Sequence, residues 1–317
     1  MKSHQLWLYP CLVTLLLTCL SACASVRRSS SSPSAGKLKV LATTTLVGDV
    51  VRNVGRDLIE LSVLLPVGAD PHSFEPVPQD VVRLAAAEVV FANGAGLEEF
   101  LSKLLDNVPE ETTIVALSDG IELIEAEGET AHAEEAEGHV HEAGDPHVWM
   151  DPNNVLHWVE QIERTLSDRD PANAAQYQAN AAEYRQALIE LDGWIRDQVA
   201  QVPYERRKLV SDHRVLAYFA RRYQFELVGA AIPSFSTLAE PSAQELAELE
   251  DAIGKLGVRA IFVGSTVNPA LSERIARDTQ IKLITIYTGS LSAPDGPAPT
   301  YLDFMRYNVN AIVQGLK

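Results

Sequence analysis

Apolar residues alternate along the chain between short runs and longer stretches with helical spacing. Short apolar runs at residues 38–44 and 88–92 predict strands buried on both faces, and residues 45–55 predict a helix between such strands. The alternation resumes after residue 203 and ends in a predicted helix at residues 301–316. Strands that alternate with helices indicate parallel sheets. We therefore expect an α/β protein with two lobes, each a parallel-rich sheet flanked by helices.

The clearest helical periodicity lies between the two lobes, at residues 171–202. Apolar residues recur there at spacings of three and four: Tyr177, Ala181, Tyr184, Leu188, Leu191, Ile195 and Val199. A helix of about 30 residues extends roughly 45 Å, so it is long enough to join the lobes as a rigid backbone helix. Ligands of open parallel sheets bind beyond the carboxyl ends of the strands, which places the expected site in the cleft between the lobes.

Residues 121–145 interrupt the alternation. They are rich in Glu, Ala, Gly and His and contain almost no apolar residue after Ile124. Such a segment cannot bury enough surface to offset its chain entropy, so we predict a disordered acidic loop. Its histidines, His132, His139 and His141, either capture metal weakly or belong to a solvated spacer. The N-terminal lobe is then expected at residues 38–170 and the C-terminal lobe at residues 203–317.

The first 22 residues are typical of a bacterial lipoprotein export signal. A positive start at Lys2 precedes an apolar stretch that is too short for a membrane-spanning helix. The signal ends on Leu20-Ser21-Ala22-Cys23, which resembles a lipobox and implies cleavage before Cys23 and lipidation of its thiol. Ordinary secretion is the alternative. Residues 23–37 are rich in Ser and Arg and predict a flexible tether.

Length and charge narrow the class of protein further. The chain has 317 residues and a formal net charge of −17. The length suits two domains of ordinary size. The negative charge opposes binding to nucleic acids, which requires a basic surface. We expect a monomer that has no nucleic-acid partner.

Three histidines carry the candidate chemistry. His72, His147 and His213 each follow an aspartate by one or two positions, where an apolar run gives way to Pro, Gly, Asp or Ser. Functional loops begin at such strand ends. An isolated loop histidine usually bonds a nearby carbonyl, but three in equivalent positions favour a shared site. Three neutral imidazoles bind divalent transition metals, zinc first.

Other residues near these histidines have simpler expected roles. Asp145 and Asp151 flank His147, and either could accept the second N–H of a metal-bound imidazole. Trp149 is expected to fill the core. His157 lies in a helix-like stretch and is expected to be a surface or packing residue.

The motifs around the three histidines resemble those of metal-binding solute-binding lipoproteins of ABC importers, in the zinc/manganese group. The resemblance covers residues 38–317, and its most specific pieces are residues 68–76, 145–152, 232–242 and 300–308. It implies two α/β lobes, a rigid backbone helix and metal held between the lobes, with His72, His147 and His213 at the ligand positions. The acidic loop resembles that of zinc-type members.

The resemblance also implies a function. A member of this group binds its metal as transported cargo, here Zn²⁺ with Mn²⁺ as the alternative, and delivers it to an ABC transporter membrane permease. It would be anchored through Cys23 outside the cytoplasm, on the periplasmic side or at the cell surface. No enzymatic step is implied.

Two positions depart from the family pattern. The family usually has a carboxylate ligand where Gly289 stands, and an acidic residue is also common where Gly264 stands. Zinc favours four ligands in a closed site. The fourth ligand could be water, a loop histidine, another acid such as Glu75, or a small anion taken up with the metal. A paralogue that binds no metal is a further alternative.

The sequence leaves more than one metal and more than one function open. Manganese prefers oxygen-rich sites, whereas zinc accepts three imidazoles. His213 supplies nitrogen where manganese-type relatives often use a carboxylate, so zinc is the leading prediction. Three histidines with an open fourth position also describe a zinc hydrolase. A surface adhesin in which metal stabilises the fold is the third alternative.

Overall fold

The computed structural model describes residues 36–105, 108–125 and 144–317. The predicted export signal and lipidation site Cys23, and nearly all of the predicted tether, lie outside the described residues. His132, His139 and His141 lie outside them as well. None of the helices in the described ranges is both long enough and apolar enough to cross a membrane.

The N-terminal lobe is built on a four-stranded parallel sheet with the strand order β2-β1-β3-β4. Its elements in chain order are β1 (Leu38–Ala42), α1 (Thr45–Gly55), β2 (Ile59–Val63), α2 (Pro78–Ala85), β3 (Val89–Ala92), α3 (Glu99–Leu105) and β4 (Thr113–Ala116). Helix α4 (Pro152–Arg169) follows, after a short 3-10 turn at Val148–Met150.

The C-terminal lobe repeats this architecture with the strand order β6-β5-β7-β8, again entirely parallel. Its elements are β5 (Lys208–His213), α6 (Ala217–Tyr223), β6 (Glu226–Ile232), α7 (Ala243–Leu256), β7 (Ala260–Gly264), α8 (Ala270–Thr279), β8 (Lys282–Ile286) and α9 (Tyr301–Leu316). The predicted fold class, two α/β lobes with parallel sheets, is confirmed.

Alternation along the central strands explains why each sheet is covered on both faces. Val40 and Ala42 of β1 point into the large core, while Leu41 points into a second cluster on the opposite face. In β7, Phe262 joins the large core and Ile261 a third cluster. Successive strand residues face opposite sides of a sheet, so a run with no polar interruption requires apolar layers on both sides.

The long helix joins the lobes through a shared core. The predicted segment 171–202 begins with a 3-10 turn at Pro171–Asn173, and the α-helix α5 covers Ala174–Val199, which corresponds to about 39 Å of helix. All seven residues of the predicted apolar stripe are buried. Helix α5 packs against α1, α4 and α9. One apolar cluster therefore runs from the first lobe through the helix into the second.

The prediction of a disordered loop at residues 121–145 is wrong at both ends, because residues 121–125 and 144–145 are part of the folded structure. The N–H of Asp145 donates to the carbonyl of Ile124 at 2.7 Å, and the Tyr218 hydroxyl donates to the carbonyl of Asp145 at 2.8 Å. Ile121, Leu123 and Ile124 pack against the large core. These apolar side chains provide the burial that the rest of the segment lacks, so residues 121–125 and 144–145 belong to the folded body.

We predict that truncating the buried stripe of α5 destabilises the whole protein. Leu188 is fully buried, whereas its neighbour Ile189 is 54% exposed. Leu188→Ala should lower the free energy of unfolding by about 2–5 kcal/mol, because it leaves a cavity in the shared core. Ile189→Ala, the matched control, should change it by less than about 0.5 kcal/mol. Equal losses for the two variants in urea denaturation would show that the stripe is not the packed face.

Candidate metal centre

The three predicted histidines meet at the carboxyl ends of the strands, between the lobes. His72 lies in the connection from β2 to α2, His147 directly precedes the Val148–Met150 turn, and His213 is the last residue of β5. Nε2 of His147 is 3.1 Å from Nε2 of His72 and 3.2 Å from Nε2 of His213. Two nitrogens bound tetrahedrally to zinc at about 2.1 Å are about 3.4 Å apart. The observed spacing therefore suits one small cation between them.

A buried carboxylate orients the ring of His147. Oδ1 of Asp145 accepts hydrogen bonds from the main-chain N–H of His147 at 2.9 Å and from its Nδ1 at 2.7 Å. With its proton on Nδ1, the imidazole presents an Nε2 lone pair to the centre of the cluster. Of the two candidate aspartates the structure selects Asp145. Asp151 instead accepts from the N–H of Asn153 and caps α4.

The same arrangement holds His213. Oδ1 of Asp212 accepts from the main-chain N–H of His213 at 2.7 Å and from its Nδ1 at 2.8 Å. Its second oxygen accepts from the N–H of Gly264 at 2.7 Å, which anchors the carboxylate to β7. The two lobes thus use one device, an aspartate just before the histidine, to aim an imidazole at the cleft.

Burial keeps His72 and His147 uncharged in the absence of a cation. It lowers the pKa of His72 to about 3, with further lowering by His147 and His213. Burial, and then the nearby His213, also hold the pKa of His147 well below its ordinary value. Burial raises the pKa of Asp145 to about 7, against the opposing hydrogen bond from the N–H of His147. Neutral imidazoles are the form that donates to a metal.

Two further contacts position the His147 turn, and the sequence did not reveal them. Nδ2 of Asn93 donates to the carbonyl of Pro146 at 3.0 Å, and buried Glu98 accepts from the N–H groups of Asn93 and Gly94. Asn93 directly follows β3, so the rule that selected the histidines, a polar residue at a strand end, would have selected Asn93 as well.

Trp149 is buried in the large core, as predicted, and also connects the lobes. Its indole Nε1 donates to the carbonyl of Thr288 at 3.0 Å, and its ring lies edge-on to His147 with centroids 5.2 Å apart. Because a buried indole N–H needs a hydrogen-bond acceptor, the expected burial of Trp149 already indicated that it bonds another part of the chain. His157 lies outside the cluster and bonds the carbonyl of Asp119 through Nε2 at 2.8 Å, which agrees with its predicted packing role.

Both glycines at the usually acidic positions are tightly packed. A Cβ at position 289 would lie 2.7 Å from Cδ of Pro71, and one at position 264 would lie 2.2 Å from Oγ1 of Thr288. Gly289 lines the small cavity beside the three histidines. Among the described residues, the group of close metal-ligand atoms around this point contains His72, His147 and His213 and no carboxylate. The expected alternative Glu75 is exposed and does not join them.

Two α/β lobes with converging imidazoles between them define the class of metal-binding solute-binding proteins. A family model described as zinc-uptake complex component A, periplasmic (ZnuA), matches residues 40–315. The chain belongs to this family. The resemblance inferred from the motifs is therefore confirmed, as is its consequence that the protein is a metal-binding component of an ABC importer outside the cytoplasm. Family membership contradicts the hydrolase alternative, because the family consists of binding proteins rather than enzymes.

Individual relatives agree over nearly the whole chain. The manganese-binding lipoprotein MntA of Halalkalibacterium halodurans is 32% identical over 305 residues, covering 96% of this chain and 97% of the relative. The manganese ABC transporter substrate-binding lipoprotein PsaA of Streptococcus pneumoniae serotype 4 is 31% identical, covering 96% and 98%.

Solved structures show the same fold. A Mn-bound periplasmic metal binding protein from Candidatus Liberibacter asiaticus is similar with a TM-score of 0.78 at 28% identity, covering 89% of this chain and 100% of that one. The periplasmic zinc binding protein TroA from Treponema pallidum also has a TM-score of 0.78, at 25% identity, covering 89% and 99%.

We predict that the charge of Asp145 contributes to metal affinity. In Asp145→Asn the remaining Oδ1 can still accept from His147, and the new amide replaces Oδ2, which is buried without a hydrogen-bond partner. The substitution therefore removes charge with little change of shape. Loss of such a partner typically weakens metal binding about 10–100-fold. Calorimetric titration should show this loss, and Asp251→Asn, on an exposed pair with Lys255, should show none. Unchanged affinity in Asp145→Asn would contradict the prediction.

Proposed function

We propose that this protein captures zinc between its lobes and delivers it to the membrane permease of an ABC importer. The main support for this proposal is the convergence of His72, His147 and His213. Nε2 of His147 lies 3.1 Å from Nε2 of His72 and 3.2 Å from Nε2 of His213. His72 and His147 come from the first lobe and His213 from the second, so a bound ion would bridge the lobes. A permease could then distinguish the loaded protein from the empty one by its closed cleft.

The donor set favours zinc over manganese. The clustered ligand atoms in the described part of the chain are all imidazole nitrogens. Imidazole suits zinc, whereas manganese prefers carboxylate and carbonyl oxygens. The names of the relatives divide between the two metals, since MntA and PsaA are named for manganese and TroA for zinc. The preference for zinc therefore depends on the residues of this chain.

Solvent supplies the fourth ligand in this proposal. Gly289 offers no side chain, and the ring of Pro71 occupies the space next to it. A water molecule or a small anion completes a tetrahedral zinc site without a fourth protein residue. An exchangeable ligand also leaves the ion easier to release, which suits a carrier.

The parts of the protein outside the described residues complete the proposal. Lipidated Cys23 would hold the protein at the membrane, with residues 23–37 as the tether. His132, His139 and His141 would capture zinc weakly and pass it to the buried site. The protein would act as a monomer.

We predict that the demetallated protein binds zinc more tightly than manganese. Competition titration should give a preference on the order of a hundredfold or more, as expected for a nitrogen-only ligand set. His147→Ala should abolish high-affinity binding, whereas His157→Ala, which changes a histidine outside the cluster, should leave it intact. Equal or tighter binding of manganese would overturn the choice of zinc.

We also predict that a carboxylate at position 289 changes metal preference. Gly289→Asp places an oxygen donor beside the histidines and should raise the affinity for manganese relative to zinc. Gly289→Ala is the matched control, because it makes the same Cβ contact with Pro71 but adds no ligand. If the aspartate and alanine variants have the same ratio of affinities, position 289 does not face the ion.

A further inference from the structure

The loop that follows β6 contacts residues close in sequence to two of the histidines, one histidine in each lobe. Its first part is tied to the C-terminal lobe, because the N–H of Arg214, next to His213, donates to the carbonyl of Ser234 at 2.9 Å. Two side-chain turns stiffen the loop, from the N–H of Ser236 to Oγ of Ser234 and from the N–H of Leu238 to Oγ of Ser236. The loop is thus a defined strap.

A short hydrogen bond joins the strap to the N-terminal lobe. Oγ1 of Thr237 donates to Oδ2 of Asp70 at 2.6 Å, across 167 positions of sequence. A hydroxyl bonded to a carboxylate at this distance is a charge-assisted hydrogen bond, which is stronger than one between neutral groups.

Asp70 also positions the first histidine. Its Oδ1 accepts from the main-chain N–H of His72 at 3.1 Å, and its Oδ2 accepts from Oγ of Ser73 at 3.3 Å. One carboxylate therefore holds the His72 turn and the strap of the opposite lobe together. Movement of the strap away from Asp70 would remove a restraint on the turn that carries His72.

This contact is less buried than two other hydrogen bonds between the lobes. Trp149 donates to the carbonyl of Thr288, and the Tyr301 hydroxyl donates to the carbonyl of Trp149. Tyr301, Thr288 and Trp149 are buried. Asp70 and Thr237 are only half-buried, so water can replace their bond when the cleft opens. Of these contacts, theirs is the best placed to break and re-form.

We propose that Thr237 is a positioning residue for metal retention, whose hydroxyl latches the closed cleft through Asp70. The inference rests on the proposed function. The latch forms when the lobes are together and must break before the metal leaves. It therefore slows dissociation of the metal and has little influence on association.

Stopped-flow kinetics with zinc and an excess of chelator tests this proposal. Thr237→Val removes the hydroxyl and keeps the shape, and we expect the dissociation rate to rise about tenfold, the effect of losing one hydrogen bond to a charged group. The association rate should change less than about twofold, because mutations at a contact act mainly on dissociation. Thr237→Ser, which keeps the hydroxyl, should restore the wild-type dissociation rate.

The controls separate the latch from the proposed function. Thr112→Val removes another hydroxyl, one that donates to the carbonyl of Ala87 within the first lobe, and should leave both rates unchanged. If Thr237→Val folds poorly, Thr237→Ala provides the same test. Tight zinc binding with an unchanged dissociation rate in these variants would overturn the latch alone. Failure of the wild-type protein to bind zinc would overturn the proposed function and the latch with it.

Discussion

Two aspartates, each just before a histidine, set the direction of two imidazoles in the cleft. Asp145 and Asp212 each accept from both the main-chain N–H and the Nδ1 of the following histidine. The proton is thereby held on the side away from the cleft, and the Nε2 lone pair faces the centre. Since one pair lies in each lobe, a metal site exists only while the shared core holds the lobes in register.

Grouping three buried imidazoles costs free energy as long as no cation lies between them. Imidazoles with nitrogens 3.1 and 3.2 Å apart gain little from one another, and burial has removed their water. A divalent cation at their centre replaces the lost solvation with three coordinate bonds. Contacts around the cluster hold the imidazoles in place despite this cost. Asn93 donates a hydrogen bond to the turn before His147, and Trp149 donates one to the opposite lobe. Rigid support of this kind is what keeps ligands in place for a small ion.

Much of the fold and the convergence of the three histidines could be predicted from the sequence, because each leaves a local pattern. The apolar stripe of α5 repeats at helical spacing, and the histidines stand where strands end. The features that could not be predicted depend on contacts between residues far apart in the sequence. The bond from Thr237 to Asp70 spans 167 positions, and the packing of Pro71 against Gly289 joins opposite lobes. No periodicity encodes such pairs. The buried ends of the acidic segment were missed because its composition was averaged over its whole length.

The most direct test of the central claim is X-ray absorption at the zinc edge on protein loaded with one equivalent of zinc. Three imidazole nitrogens at about 2.0–2.1 Å should appear in the spectrum, with one additional light atom as the solvent ligand. A spectrum that requires fewer than three imidazoles would contradict the account, because it would mean that the histidines of the two lobes do not bind one ion.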